Sequence, residues 1–325
     1  MRAIRHHEFG PSSTLVLDEV PDLEPGPEQV RIEVYAAGVH LLDTTLRRGE
    51  AGPMPAPDLP TIPGREVAGV VDAVGTGVDP AWIGRRVVAH LGLVPGGYAE
   101  QAVTTVDKLF PLADHVSFTD AIAAVGTGRT ALGVLELEPP RPDDVVLVPS
   151  AAGGLGWLLV QGAHAVGARV VAAAGSPERA VRLEELKPEL VVDYSDSGWT
   201  ERVRAELDGV SLVYDGVGGE VGRSSLELLA PGGRLVMFGF SAGSPTRFVT
   251  GDVVSRGISV GWSLGPRMAA LPGGIPGLAG RSLERLASGE WTPLTSTYPL
   301  ADAALAHADL EQRRALGKVV LTVDR

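Results

Sequence analysis

Between residues 145 and 238 five short, almost wholly apolar runs alternate with four helical stretches. The runs fall at 145–148, 169–174, 190–193, 212–215 and 234–238, and the helical stretches at 155–167, 177–187, 198–207 and 219–229. Strands this uniformly apolar must be covered on both faces, and helices between them supply that cover. The alternation therefore predicts a parallel sheet with helices on both sides. "GISVGWSL" (257–264) reads as a sixth strand.

The texture before residue 120 is different. Short alternating runs such as "QVRIEVYAAGV", "REVAGVVDAVG", "GRRVVAHLG" and "GGYAEQAVTT" are cut by turn residues, which predicts an all-β, barrel-like unit. The stretch "RRGEAGPMPAPDLPTIPG" (47–64) carries five prolines and suits neither a helix nor a central strand. "FTDAIAAVGTGRTALGVLEL" then opens a helix, with Thr119 as the expected N-cap. After about 265 come a Pro/Gly-rich loop, "GPRMAALPGGIPG", two helical stretches and a last strand, "GKVVLTV". That strand is expected to rejoin the first domain rather than extend the parallel sheet. The division expected is 1–120, 121–264 and 265–325, the last returning to the first.

At 325 residues two domains are the natural prior. A net charge of −12 disfavours nucleic acid and anionic membranes as main partners, since both need a basic surface. The absence of cysteine excludes disulfides, thiolate catalysis and cysteine-bound metals. No signal-like apolar core opens the chain and no run reaches about 18 apolar residues, so a cytoplasmic, soluble protein is expected.

Positions 151–156 read Ala-Ala-Gly-Gly-Leu-Gly, between a strand and a helix. Set on G-x-G-x-x-G, they place Ala151 at the first glycine, Gly153 at the second and Gly156 at the third. Gly153 lets backbone approach a pyrophosphate, and Gly156 lets the helix pack closely on the strand. The amides around Ala152, Gly153, Gly154, Leu155 and Gly156 then face the anion, aided by the helix dipole. The same turn also occurs in strand–helix units that bind nothing. Some twenty residues on, the position where NAD-binding folds usually carry an acid reads Ala174-Gly175-Ser176-Pro177-Glu178-Arg179. Ser176 and Arg179 offer a hydroxyl and a guanidinium to a 2′-phosphate, favouring NADPH. Glu178 is discordant, and is expected to point away from its neighbour. Ser176 also suits an N-cap, with Pro177 in the first helical position.

Taken together, "AAGVHLLDTTLRRG", "PTIPGREVAGVVDAVGTGV", "GGYAEQAV", "SAAGGLG", "VYDGVGG" and "PGGRLVMFG" resemble the medium-chain dehydrogenase/reductases, in the zinc-independent quinone oxidoreductase (zeta-crystallin-like) branch. The resemblance runs through nearly the whole chain. It implies an α/β protein with a GroES-like β-barrel catalytic domain plus a Rossmann doubly wound parallel sheet, and the nicotinamide in the cleft between them. It places Tyr194 by the adenine-side phosphate and Phe238, Gly239 and Phe240 by the nicotinamide half. It also suggests a homodimer formed at the sheet edge around "GISVGWSL". Zinc-dependent relatives use a cysteine where this chain has His40, a histidine where it has Arg65, and a further ligand near Val125. Only Glu66 remains of their Gly-His-Glu motif. Zinc wants about four N, S or O donors, so no metal is expected.

Without zinc a simple carbonyl is hard to polarise, and hydride transfer to a quinone or an α,β-unsaturated carbonyl is easier. His40 stands where quinone oxidoreductases usually carry asparagine. It either donates to a carbonyl oxygen or supplies a proton, or is an ordinary bonded histidine at a strand end. Asp43 either orients His40 or caps the following turn, the second being favoured. Thr44, Thr45 and Leu46 replace the tyrosine that the family often carries, so the acceptor is not transferable from a relative. Trp262 and Leu264 are expected to line an apolar substrate pocket. His6, His7, His90, His115, His164 and His307 show no ligand spacing and read as structural or surface residues. The rival readings are an enoyl reductase of a biosynthetic pathway and a non-catalytic nucleotide-binding or RNA-binding member of the fold.

Overall fold

The computed structural model describes residues 1–50 and 54–324. Part of the proline-rich stretch, 51–53, lies outside the described residues. The chain forms two compact units, Met1–Thr127 with Ser282–Arg325, and Gly128–Arg281. The sequence places the divisions at 120/121 and 264/265. In the structure both junctions lie inside helical runs, where no change of composition marks them.

In the second unit six strands form one parallel sheet. Its order is Leu190–Asp193, Arg169–Ala174, Val145–Val148, Val210–Asp215, Leu229–Met237 and Ser259–Trp262. The first three run outward one way and the last three the other. The order therefore reverses between Val145–Val148 and Val210–Asp215, the switch point where doubly wound folds bind ligands. All four residues of Val145–Val148 are buried, as expected of a strand covered on both faces. The stretch "GPRMAALPGGIPG", expected as loop, instead forms a short helix, Pro266–Ala269, and begins the long helix Gly274–Ala287. Pro266 and Pro276 fall in first turns, where the missing amide costs nothing, and Pro272 lies in the turn between the two helices.

In the first unit the long strand Gln29–Val39 is the keel. It pairs antiparallel with Glu66–Val74, Gln101–Thr105 and Lys318–Thr322. Its alternate residues Val30, Ile32 and Val34 are fully buried, the period-two pattern of a half-covered sheet. "GKVVLTV" does return to this sheet, as Lys318–Thr322, between Gln29–Val39 and Thr295–Pro299. The helix from Phe118 is capped by the Ser117 hydroxyl, which accepts from the Asp120 amide at 3.0 Å; Thr119, the cap expected from sequence, is inside the helix. This helix widens into a π-helical segment, Ala123–Gly128, before continuing as Arg129–Leu137.

A buried polar knot holds the helix Leu41–Arg47 to the helix Ala303–Glu311. Arg47, 1% exposed, meets His307 Nδ1 at 3.1 Å and Glu311 at 2.7 Å, while the Tyr98 hydroxyl lies 3.1 Å from His307 Nε2. Burial first, then the charge of Arg47, depresses the His307 pKa from 6.5 to about 3. The folded state thus keeps His307 neutral while the unfolded chain takes up a proton below its ordinary value. Stability should fall between pH 6.5 and about 3, by up to about 1.4 kcal/mol per pH unit from this residue. Urea unfolding of His307→Gln from pH 7 to 5 should show a slope flatter by about that amount.

Candidate functional site

In the second unit the glycine turn stands at the switch point. Strand Val145–Val148 leads through Ser150 and the buried Ala151, whose amide donates to Ala173 O at 3.1 Å, into the helix Gly154–Ala165. A Cβ on Gly156 would sit 2.0 Å from the Ser150 carbonyl oxygen, so only glycine allows the helix this close to the strand. On Gly153 a Cβ would lie 3.3 Å from the same oxygen, tight but not prohibitive. Gly153 is the N-cap, and Ala152 is buried beneath it. The opening amides, Gly154, Leu155 and Gly156, have no partner within an α-helix and carry its positive pole. A dinucleotide's pyrophosphate fits these donors.

At the end of the neighbouring strand, Ser176 caps the helix Pro177–Leu183 and accepts from the Arg179 amide at 3.3 Å. Tyr194 lies against Gly175, where a Cβ would be 2.7 Å from the tyrosine hydroxyl. The structure therefore brings Gly175, Ser176 and Tyr194 together. Glu178 departs from expectation. Its carboxylate folds back on its own helix start, and its own amide and then the Ser176 hydroxyl hold its pKa low. An exposed carboxylate at N2 gains from the helix dipole, which is why it turns inward. Further along the sheet edge, Phe238 is buried against Gly216, where a Cβ would be 2.5 Å from its ring, and Gly239 passes the Gly216 backbone closely. Phe240 is half-exposed and tilts over Trp262, with ring centroids 6.3 Å apart. Leu264 is partly exposed two residues on. Sequence reasoning did not single out Asp215, fully buried at the end of its strand. It accepts from the amides of Val217 and Gly218 at 2.9 Å and from the Thr246 hydroxyl, and so shapes the turn beside the switch point.

In the first unit His40 ends the strand Gln29–Val39, and Asp43 accepts from the His40 amide at 2.8 Å. Capping is thus the role the structure gives Asp43. The His40 ring turns to a buried ion pair. Its Nε2 lies 2.8 Å from Glu66 Oε1 and 2.8 Å from Lys318 Nζ, and that ammonium is 2.9 Å from Glu66 Oε2. Glu66 is fully buried and Lys318 is 4% exposed. Two glycines make room for the carboxylate, since a Cβ on Gly126 would fall 1.6 Å from Oε1 and one on Gly38 2.2 Å from Oε2. Gly126 lies in the π-helical segment, which is therefore shaped around this acid. Burial alone raises the Glu66 carboxyl; the charges of His40 and Lys318 outweigh it and hold the group well below its ordinary range. Neither oxygen receives a well-directed hydrogen bond, so charge supplies most of the attraction.

Nε2 is committed inward in either protonation state: protonated it donates to Glu66, unprotonated it accepts from Lys318. Nδ1 makes no hydrogen bond among the described residues, and the ring is 29% exposed. Lys318 was missed at the sequence level. A lysine opening an otherwise apolar strand, "GKVVLTV", is the signal that could have found it. Among the described residues no group of three or more histidines, cysteines or carboxylates is placed to hold a metal ion.

Two family models cover most of the chain, an alcohol dehydrogenase GroES-like domain at residues 26–114 and a zinc-binding dehydrogenase domain at 154–276. A quinone oxidoreductase of Pseudomonas aeruginosa is 32% identical, with 98% of this chain and 99% of that protein covered. Among solved structures, an Escherichia coli quinone oxidoreductase complexed with NADPH is similar at 28% identity and TM-score 0.86, covering 99% of this chain and all of that one. An NAD-dependent alcohol dehydrogenase is similar at 31% identity and TM-score 0.88, with both chains fully covered. The chain belongs to the medium-chain dehydrogenase/reductase superfamily, in its quinone oxidoreductase branch. It is a quinone oxidoreductase-like enzyme with a nicotinamide cofactor, and its two folds are the GroES-like and Rossmann units foreseen from sequence. Among the described residues no helix is long and apolar enough to cross a membrane.

Proposed function

We propose that the protein is an NADPH-dependent reductase of quinones or α,β-unsaturated carbonyls that works without zinc. The observation that carries the reading is the polar arrangement at His40: an ammonium occupies the space beside Glu66 and Nε2, leaving an outward imidazole nitrogen and, among the described residues, no donor set for a metal. When bound, the nicotinamide supplies the hydride; the chain supplies orientation and the proton. His40 Nδ1–H gives a hydrogen bond, and then its proton, to the acceptor oxygen as negative charge gathers there. The ring acts as its neutral Nδ1–H tautomer: as that proton leaves, Nε2 takes one from the Lys318 ammonium, which Glu66 holds in place. Within the second unit, Phe238, Gly239 and Phe240 are assigned to the nicotinamide half and Trp262 and Leu264 to the apolar substrate contacts. The homodimer and the cytoplasmic setting expected from sequence belong to this reading as well.

The preference for NADPH rests on Ser176, Arg179 and Tyr194. Against it stands Glu178, which must swing away from Ser176 to admit a 2′-phosphate. Arg179→Glu should weaken NADPH binding roughly 10- to 100-fold while changing NADH by under about threefold. Titration calorimetry with both cofactors checks this, and equal losses refute the assignment. For the reaction itself, NADPH consumption followed by absorbance against a panel of quinones and enones is the test. No turnover with any of them, despite tight cofactor binding, returns the chain to the non-catalytic alternative.

A further inference from the structure

Beside the helix Leu41–Arg47 lies a cavity of about 320 Å³, at the small end for a ligand pocket. Leu46, Met54, Pro55, Pro57, Pro63 and Leu93 make most of its wall apolar. Into this wall is set Arg65, whose side chain is only 11% exposed. Its guanidinium is poorly satisfied. Among the described residues, Nε is buried with no hydrogen-bond partner, and Nη1 meets the Met54 thioether sulfur, a weak acceptor, at 2.7 Å. Nη2 is 3.7 Å from Asp43 Oδ1, beyond hydrogen-bond range. Asp43 is otherwise occupied, since its Oδ2 accepts from the His40 amide at 2.8 Å and the Tyr98 hydroxyl at 3.2 Å. Asp43 therefore offsets the charge of Arg65 without meeting its donors.

The other charged lining groups make no such demand. Arg47 is held by Glu311 and His307, and Asp58 is exposed to water. A buried guanidinium with idle donors on an apolar wall is costly unless an anion completes it. Planar carboxylates match its fork.

We propose that this cavity binds the carboxylate of a small unsaturated organic acid, with Arg65 as the anchor and the apolar wall holding the hydrocarbon part. The proposal deepens the reductase reading and rests on it for the role of the acid as hydride acceptor. The volume suits an acid of about ten heavy atoms. Arg65 is linked through the Asp43 carboxylate to the His40 backbone amide, which ties the wall of the cavity to the start of the helix that follows His40. The arginine thus selects the acceptor.

The test compares trans-cinnamate with its methyl ester, of the same shape but neutral. Binding to the full chain is measured by ligand-observed NMR and turnover by NADPH consumption. The acid should bind at least about tenfold tighter than the ester, and Arg65→Met should erase that ratio while Arg65→Lys keeps part of it. A thermal melt reports whether each variant folds; if neither does, the wild-type ratio of acid to ester decides alone. An ester that binds as well as the acid overturns the proposal. So does a folded Arg65→Met protein that keeps its affinity for cinnamate. Inorganic phosphate displacing cinnamate at equal concentration also overturns it, because the apolar wall would then contribute nothing. Turnover of neutral enones with an acid-to-ester ratio of one removes this site and spares the reductase reading. Cinnamate held through Arg65 without oxidation of NADPH by any acceptor does the reverse.

Discussion

Lys318→Met is expected to destabilise the first unit by about 3–5 kcal/mol, the usual cost of stripping one partner from a buried ion pair. The Glu66 carboxylate would remain fully buried between Gly38 and Gly126, with only the His40 imidazole for company. Adding Glu66→Gln should recover much of the loss, since a neutral amide needs no counter-charge. Urea unfolding of the single and double variants gives the coupling directly. A loss under about 1 kcal/mol in Lys318→Met would show that the pair is not the support described here. The sign with pH follows from the depressed Glu66 carboxyl. In the native protein its contribution is present above the ordinary glutamate value and disappears as pH falls through the folded one. Without Lys318 the folded carboxyl rises toward its ordinary value, so less stability should be lost as pH falls.

Gly156→Ala is expected to cost about 1–3 kcal/mol in stability and to weaken the dinucleotide at least about tenfold. The added methyl would meet the Ser150 carbonyl oxygen at 2.0 Å and the Ala151 Cα at 2.8 Å, both backbone atoms without a rotamer to change. Relief requires the helix Gly154–Ala165 to lift from the strand, and its amide pole moves with it. Gly153→Ala is the control, for its methyl would lie 3.3 Å from that oxygen and should disturb stability far less. Thermal melts and calorimetry with NADPH and NADH separate the two effects. Equal behaviour of the two variants would contradict the geometry.

Much of the scaffold was legible before any coordinates. Strands 145–148, 169–174 and 190–193 coincide with the observed ones, because runs buried on both faces announce themselves by unbroken apolar character. Ser176 and Pro177 mark a helix start for the same local reason, a cap and a fixed φ that act within one turn. The misses also have reasons. Ser117 caps in place of Thr119 because two hydroxyls two residues apart carry the same local signal. Glu178 turns toward Ser176 through the field of the helix end, which spacing alone does not convey.

What the amino-acid order determined is whatever depends on near neighbours: the β–α alternation, the glycine turn with its close helix, and an N-cap in place of an acid after the second strand. What only the tertiary structure decided is the company each charge keeps. His40, Glu66 and Lys318 are separated along the chain by long stretches, and they meet because the last strand lies beside the keel strand while a π-helical turn opens space over Glu66. Arg65 draws no notice in sequence, and becomes informative only when its Nε is found buried without a partner among the described residues and its Nη1 against a thioether. Local preference is written in adjacent residues, whereas desolvation and charge pairing are properties of the packed interior.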